Sequence, residues 1–306
     1  MLKNIILFTN LSLLIFPLPV FNQSIYNNIK DNFKIDKEIK IRLNNVKDDF
    51  YDIPEKSSQI YNFPWRNDED FLDSKVKYNT PILMAGFCAV LKNPLPGEEF
   101  NVNLAAQSIN RKVIRPNKVF SQNSTIGPYN ENNGYKVGAT YVGGKIVMDT
   151  GGGVCKIATT LYNLVVLSNL EIVERYYHSM PINYVPYGQD ATVAYGIKDF
   201  KFKNTTDGNI LIWSELIGNR LYMAFYGTEH PPEITWNHEI NNIIKPSIKY
   251  VKNENLNNGE MKTIIQGLDG ATVKSKIQIK YNDGTIKIKD MGISQYEPLP
   301  ELIEIN

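Results

Sequence analysis

Between Val154 and Ser168 the chain is apolar almost all round, through Val154, Ile157, Ala158, Leu161, Leu164, Val165, Val166 and Leu167. A surface helix shows one apolar stripe, so this pattern predicts a buried helix. Upstream, PILMAGFCAVLKNPLPG (81–97) reads as a strand closed by a Pro/Gly turn. In FNVNLAAQSIN, Val102, Ala105, Ala106 and Ile109 recur at helical spacing, with Asn101 or Asn103 as the cap. YVGGKIV (141–147) predicts a hairpin that turns at Gly143 and Gly144. SNLEIVERYYHS predicts a turn and a strand that delivers His178 at its end. From Asp190 onward the texture is strand-like, in ATVAY, FKFKN, NILIWSEL and RLYMAFYG. The prolines of EHPPEITWNHE then predict a linker. Beyond it, MKTIIQ, ATVKSKIQIKY, the turn Asn282-Asp283-Gly284 and TIKIK predict a small all-β module over 229–306. The fold class expected is α+β: a mostly antiparallel sheet packed on a buried helix, followed by that module.

The opening MLKNIILFTNLSLLIFPLPVFNQS sets Lys3 before an apolar run from Ile5 to Phe21. This is the layout of a secretory signal over 1–24. Pro17 and Pro19 argue against a stable spanning helix, and no small-x-small cleavage site follows, so an uncleaved amino-terminal membrane anchor stands beside the cleaved signal. Residues 25–80, rich in charge, are expected to be a spacer. No later segment approaches the roughly 20 apolar residues of a membrane helix, which puts the working domain outside the cytoplasm. A net charge of +1 gives no reason to expect nucleic acid as a partner. Two cysteines exclude a disulfide-rich scaffold but leave a single Cys88–Cys155 bridge open.

The chemistry concentrates in DTGGGVCKIATTLYN, residues 149–163. A glycine turn opening a helix points unpaired N–H groups and the positive dipole end at one place. A thiol at Cys155 would gain a stabilised thiolate there. The backbone at Gly152 and Gly153 would offer donors for an oxyanion. A bland reading, a buried cysteine beside a structural turn, fits the same letters. A nucleophilic thiol needs a base and an orienting group. His178 lies in the same segment of chain, and Asp190 either orients its imidazole or caps a strand. Arg175 either meets a substrate carboxylate or lies on a wet strand face, and Ser179 beside the histidine is a further substrate contact. His230 and His238 fall at the linker with no metal-ligand spacing, so they are assigned to the surface, and neither a metal nor a cofactor is expected.

These residues carry a resemblance. KVFSQNSTIGP, NGYKVGATYVGGKIV, GGGVCKIATTLYN, LEIVERYYHSMPINYVPYGQDATVAYG and DFKFKNTTDGNILI resemble the VanW family in order and spacing, from about Phe100 to Tyr226. The segment QGLDGATVKSKIQIKYNDGTIKIKDMGISQYEPLPELIEI is similar to a G5-type module. The resemblance implies a VanW-like catalytic domain over 81–228. Some members of that family are L,D-transpeptidases that use the cysteine matching Cys155, which makes Cys155 the nucleophile and His178 its base. Peptidoglycan stem peptides would be the substrate, cross-linked 3–3 through a cysteine thioester; water as acceptor would give an L,D-carboxypeptidase. A non-catalytic wall-binding module is the alternative. The family often has Gln where this chain has Lys156, whose charge would favour the thiolate.

Overall fold

Strand residues whose alternate side chains are both apolar need cover on two faces, and the central sheet has it. The computed structural model describes residues 51–306 apart from 93, 95, 96, 143 and 144. The signal or anchor at 1–24, the spacer up to residue 50 and the Gly143-Gly144 turn lie outside the described residues. The first half contains β1 (Ser58–Gln59), α1 (Glu69–Tyr78), β2 (Ile82–Val90), α2 (Glu98–Ile109), β3 (Val113–Ile114), β4 (Val119–Ser121) and α3 (Gln122–Ile126). Next come the hairpin β5 (Val137–Val142) and β6 (Lys145–Thr150), α4 (Cys155–Leu167), β7 (Glu171–Glu174), β8 (Lys201–Lys203), β9 (Ile210–Ile217) and β10 (Arg220–Gly227). The final part is all strand: β11 (Glu233–Ile244), β12 (Ile248–Lys252), β13 (Met261–Ile265), β14 (Gly270–Lys280), β15 (Ile286–Tyr296) and β16 (Glu301–Ile305). The protein is α+β, and its strands pair antiparallel except for β12 with β16.

The five-stranded sheet runs β1-β2-β10-β9-β3. Along β10, Leu221, Met223 and Phe225 join the core under α2 and α4, while Tyr222, Ala224 and Tyr226 join a second, aromatic core. Ile60, Phe63, Trp65 and Phe71 of this second core come from the stretch expected to be a charged spacer. Trp65 and Phe71 are both buried there: Trp65 stacks on Phe63, and Phe71 meets Trp213 edge-on and Tyr226 at a tilt, and the Trp65 indole donates to the Tyr226 hydroxyl at 3.0 Å. The charges of α1 occupy its outer side, which is why the stretch reads as a spacer; in the fold, residues 51–80 are part of the sheet's cover.

Other expectations are corrected by the same packing. Cys88 belongs to the aromatic core and Cys155 packs against the opposite one, so the sheet lies between them and both thiols are free. Helix α2 starts at Glu98 behind Gly97, which leaves Asn101 and Asn103 inside the helix and not at its cap. ATVAY forms no strand; it is held by isolated bridges, Tyr176 to Thr192 and Ala194 to Lys198. The predicted linker is shorter than its prolines suggested, because Glu233 already begins a twelve-residue strand paired along β14. The C-terminal strands make two three-stranded sheets, β11-β14-β15 and β12-β16-β13. Among the described residues no helix is long and apolar enough to cross a membrane.

Candidate active site

The turn from β6 into α4 demands glycine at all three of its positions, Gly151 through its φ of +84° and the nearby Tyr129. Gly153 has φ +105°, a region that side chains avoid. At Gly152 a Cβ would lie 2.3 Å from the backbone of Gly138. Asn101, fully buried, ties the turn down: its Nδ2 donates to Gly152 O (2.9 Å) and Lys136 O (2.8 Å), and its Oδ1 accepts from the Lys136 amide (2.8 Å). Gln122 Nε2 donates to Val154 O at 3.3 Å. Sequence reasoning gave Asn101 only a capping role and passed over Gln122. The Gly152 amide turns back to Asp149 O at 3.4 Å and the Val154 amide to Gly151 O at 3.3 Å. The amides of Gly153 and Cys155 find no acceptor among the described residues. Of the two glycines expected to offer donors, Gly152 has its amide turned to Asp149 O, and Gly153 has an amide with no such partner.

Cys155 is the first residue of α4, whose polar positions fall at intervals of four. Thr159 Oγ1 donates to Ala191 O (2.9 Å) and accepts from the Ala191 amide (3.0 Å), and Asn163 Nδ2 donates to Gln189 O (2.9 Å). Cys155, Thr159 and Asn163 thus form one stripe, since side chains four apart share a helix face, and that stripe fixes the 189–193 segment beside the thiol. The hydroxyl of Thr159 and the amide of Asn163, four apart in a largely apolar helix, were the sequence signal for this. Cys155 Sγ lies 3.3 Å from Thr192 Oγ1 and 3.6 Å from Val193 O.

His178 sits in the loop beyond β7, buried, with Nδ1 2.7 Å from Asp190 Oδ2; that oxygen also accepts the His178 amide at 2.7 Å. With Nδ1 so engaged, Nε2 is the nitrogen left for the thiol. Burial alone would raise the Cys155 pKa; the hydrogen bond and charge of His178, helped by Thr192, outweigh it and hold the thiol below its ordinary value. Burial likewise opposes the His178 imidazolium, but Asp190 and Cys155 lift it to about 9. Burial works against the Asp190 carboxylate too, and His178 with Arg175 brings it down to about 2. All three shifts run toward the charged form: the thiol and the carboxyl are lowered and the imidazole is raised.

Cys155, half-buried, opens on a cavity of about 910 Å³ together with His178, Ser179, Tyr184 and Thr192. Ser179 is exposed at its edge. Arg175 lies elsewhere: its Nη2 is 3.1 Å from Asp190 Oδ1 and its Nε donates to Asp190 O at 2.9 Å, so the substrate contact expected of it is replaced by a hold on the carboxylate. Lys156 also lines the cavity, paired with Glu98 and set over the Tyr184 ring; burial pulls its ammonium below the ordinary lysine range. His230 is exposed. His238 departs from its surface assignment, being half-buried in β11 between Ser275 Oγ (2.9 Å) and Gln189 Nε2 (3.0 Å).

Residues 97–226 match the family described as VanW like protein. Over that segment the chain is similar to this family. YoaR of Bacillus subtilis is 38% identical to this chain over 129 residues, 42% of this chain and 43% of that one. The vancomycin B-type resistance protein VanW of Enterococcus faecalis is 28% identical over 158 residues, 50% of this chain and 55% of that one. The chain spans about half the length of these curated relatives. The solved G5 domain of an IgA1 protease is similar at 19% identity, with a TM-score of 0.16, over 26% of this chain and 94% of that one. The β module after residue 226 is defined by its own strand pairing, β11-β14-β15 and β12-β16-β13.

Proposed function

We propose that the VanW-like domain is a cysteine acyltransferase of the cell envelope, an L,D-transpeptidase acting on peptidoglycan stem peptides outside the cytoplasm. The observation that carries this reading is the line from Asp190 Oδ2 through His178 to a half-buried thiol on an open cavity. The Cys155 thiolate attacks the carbonyl carbon of the third stem residue, and the oxyanion takes the Gly153 and Cys155 amides. The bond to the terminal D-Ala breaks, its amine leaves with the proton of His178, and a thioester remains. A side-chain amine of a second stem then attacks the thioester. His178 accepts its proton, a 3–3 amide forms and the thiolate returns. Water in place of the amine gives a tripeptide, the L,D-carboxypeptidase outcome.

The test is intact-mass analysis of the protein with tetrapeptide muropeptides. An acyl adduct confined to Cys155, with release of D-Ala and formation of cross-linked dimer, is expected. Dimer formation by a Cys155→Ala variant at the wild-type rate overturns the reading.

A further inference from the structure

We propose that the C-terminal β module completes this site, with Tyr296 as a positioning residue for Asp190 and Ser294 as the anchor of Arg175. The inference rests on the reading of Cys155, His178 and Asp190 as a working triad. Asp190 is almost wholly buried, and each carboxylate oxygen is gripped twice. Oδ2 accepts the His178 amide and faces Nδ1, while Oδ1 faces Arg175 Nη2 and accepts the Tyr296 hydroxyl at 2.5 Å. That hydroxyl also accepts the Gly188 amide at 2.9 Å. One side chain of β15 therefore fixes both the carboxylate and the loop that carries it. Ser294 Oγ, on the same strand, accepts Arg175 Nη1 at 3.1 Å.

The contact has no slack. Gly188 is at φ +82°, and a Cβ there would come within 2.4 Å of Ser275 Oγ on β14. On the far side of the histidine, the Glu297 amide donates to Ser179 O at 2.8 Å. All of these module residues lie beyond residue 226, outside the segment that matches the VanW family. An imidazole is aimed only as well as the acid behind it, and a carboxylate with one oxygen released can rotate away from Nδ1. Asp190 is faced by His178 and Arg175 from its own half of the chain, by Tyr162 from α4 and by Tyr296 from β15.

The experiment uses the full chain and reads the pH midpoint of Cys155 alkylation by iodoacetamide, alongside turnover of tetrapeptide muropeptides. Tyr296→Phe keeps the ring contacts with Tyr177 and Tyr187 and removes only the hydroxyl. The expected result is a midpoint raised by about 0.5–1 pH unit and alkylation at pH 6 slowed about three- to tenfold, the scale of one hydrogen bond to a charged group. Ser294→Ala should move it the same way by less, and it decides the matter if the phenylalanine variant loses its cooperative urea transition. Wild-type midpoints in the folded variants overturn the proposal. A shifted midpoint without any muropeptide product would sink the transpeptidase reading and leave this coupling standing. Muropeptide turnover with unmoved midpoints would do the reverse.

Discussion

Burial raises the pKa of a thiol because the thiolate gives up water, and at Cys88 burial prevails over the opposing charge of Arg220, pushing the thiol up to about 12. Cys155 suffers the same desolvation and still ends below its ordinary value, because the hydrogen bond and charge of His178 act on it. Two outcomes follow at this scale. Iodoacetamide should modify Cys155 in the native protein well below pH 8 and leave Cys88 untouched until denaturation, as peptide mapping would show. His178→Gln should push the alkylation midpoint back above pH 8 and lower turnover roughly 10²–10⁴-fold, the usual range for losing a positioned acid–base group. Asp190 sets a separate window. Its folded pKa is depressed to about 2, so its stabilisation is complete above the ordinary carboxylate value near 4 and is lost as pH falls from there to about 2. Urea midpoints measured from pH 5 downward should fall through that interval, and Asp190→Asn should flatten the fall.

The same side chains depend on elements that leave them little freedom. The turn into α4 runs so close to β5 that Gly152 has no room for a methyl group against the Gly138 backbone. Gly152→Ala should cost about 1–3 kcal/mol in urea unfolding, the range for forcing atoms into a packed interior. Thr159→Val attacks the other flank. It removes the hydroxyl that both gives to and takes from Ala191, leaving a buried amide and carbonyl unpaired at about 1–3 kcal/mol. It should also slow Cys155 alkylation, because the 189–193 segment carries Asp190 and Thr192. A variant that lost stability but kept the wild-type alkylation profile would show that the stripe on α4 supports the fold alone.

At the scale of the whole molecule, what the sequence disclosed divides by range. Cys155 could be picked out because a glycine turn opening an apolar helix is a local pattern, and His178 lies 23 positions on in the same stretch of chain. Arg175 was left between two roles, and Tyr296 was invisible, because spacing carries no information about a contact 106 positions away. The buried helix and the strands β9 and β10 were legible from periodicity. Residues 51–80 were not, since a segment that borrows its core from a sheet needs only a few buried aromatics and shows charge elsewhere. That borrowing leads to the last expectation. The family match begins at residue 97, yet β2 ends at Val90 and runs between β1 and β10 in the sheet, with α4 packed against it. Cutting the chain to 97–226 would strip β10 of one neighbour and uncover Trp213, Tyr222 and Tyr226 by removing Phe63, Trp65 and Phe71. Such a fragment should show no cooperative urea transition. In the full chain, Trp65→Ala alone should cost about 3–5 kcal/mol, as large buried aromatics do. Cooperative unfolding of the fragment near the full-length midpoint would mean that the sheet holds without its second cover.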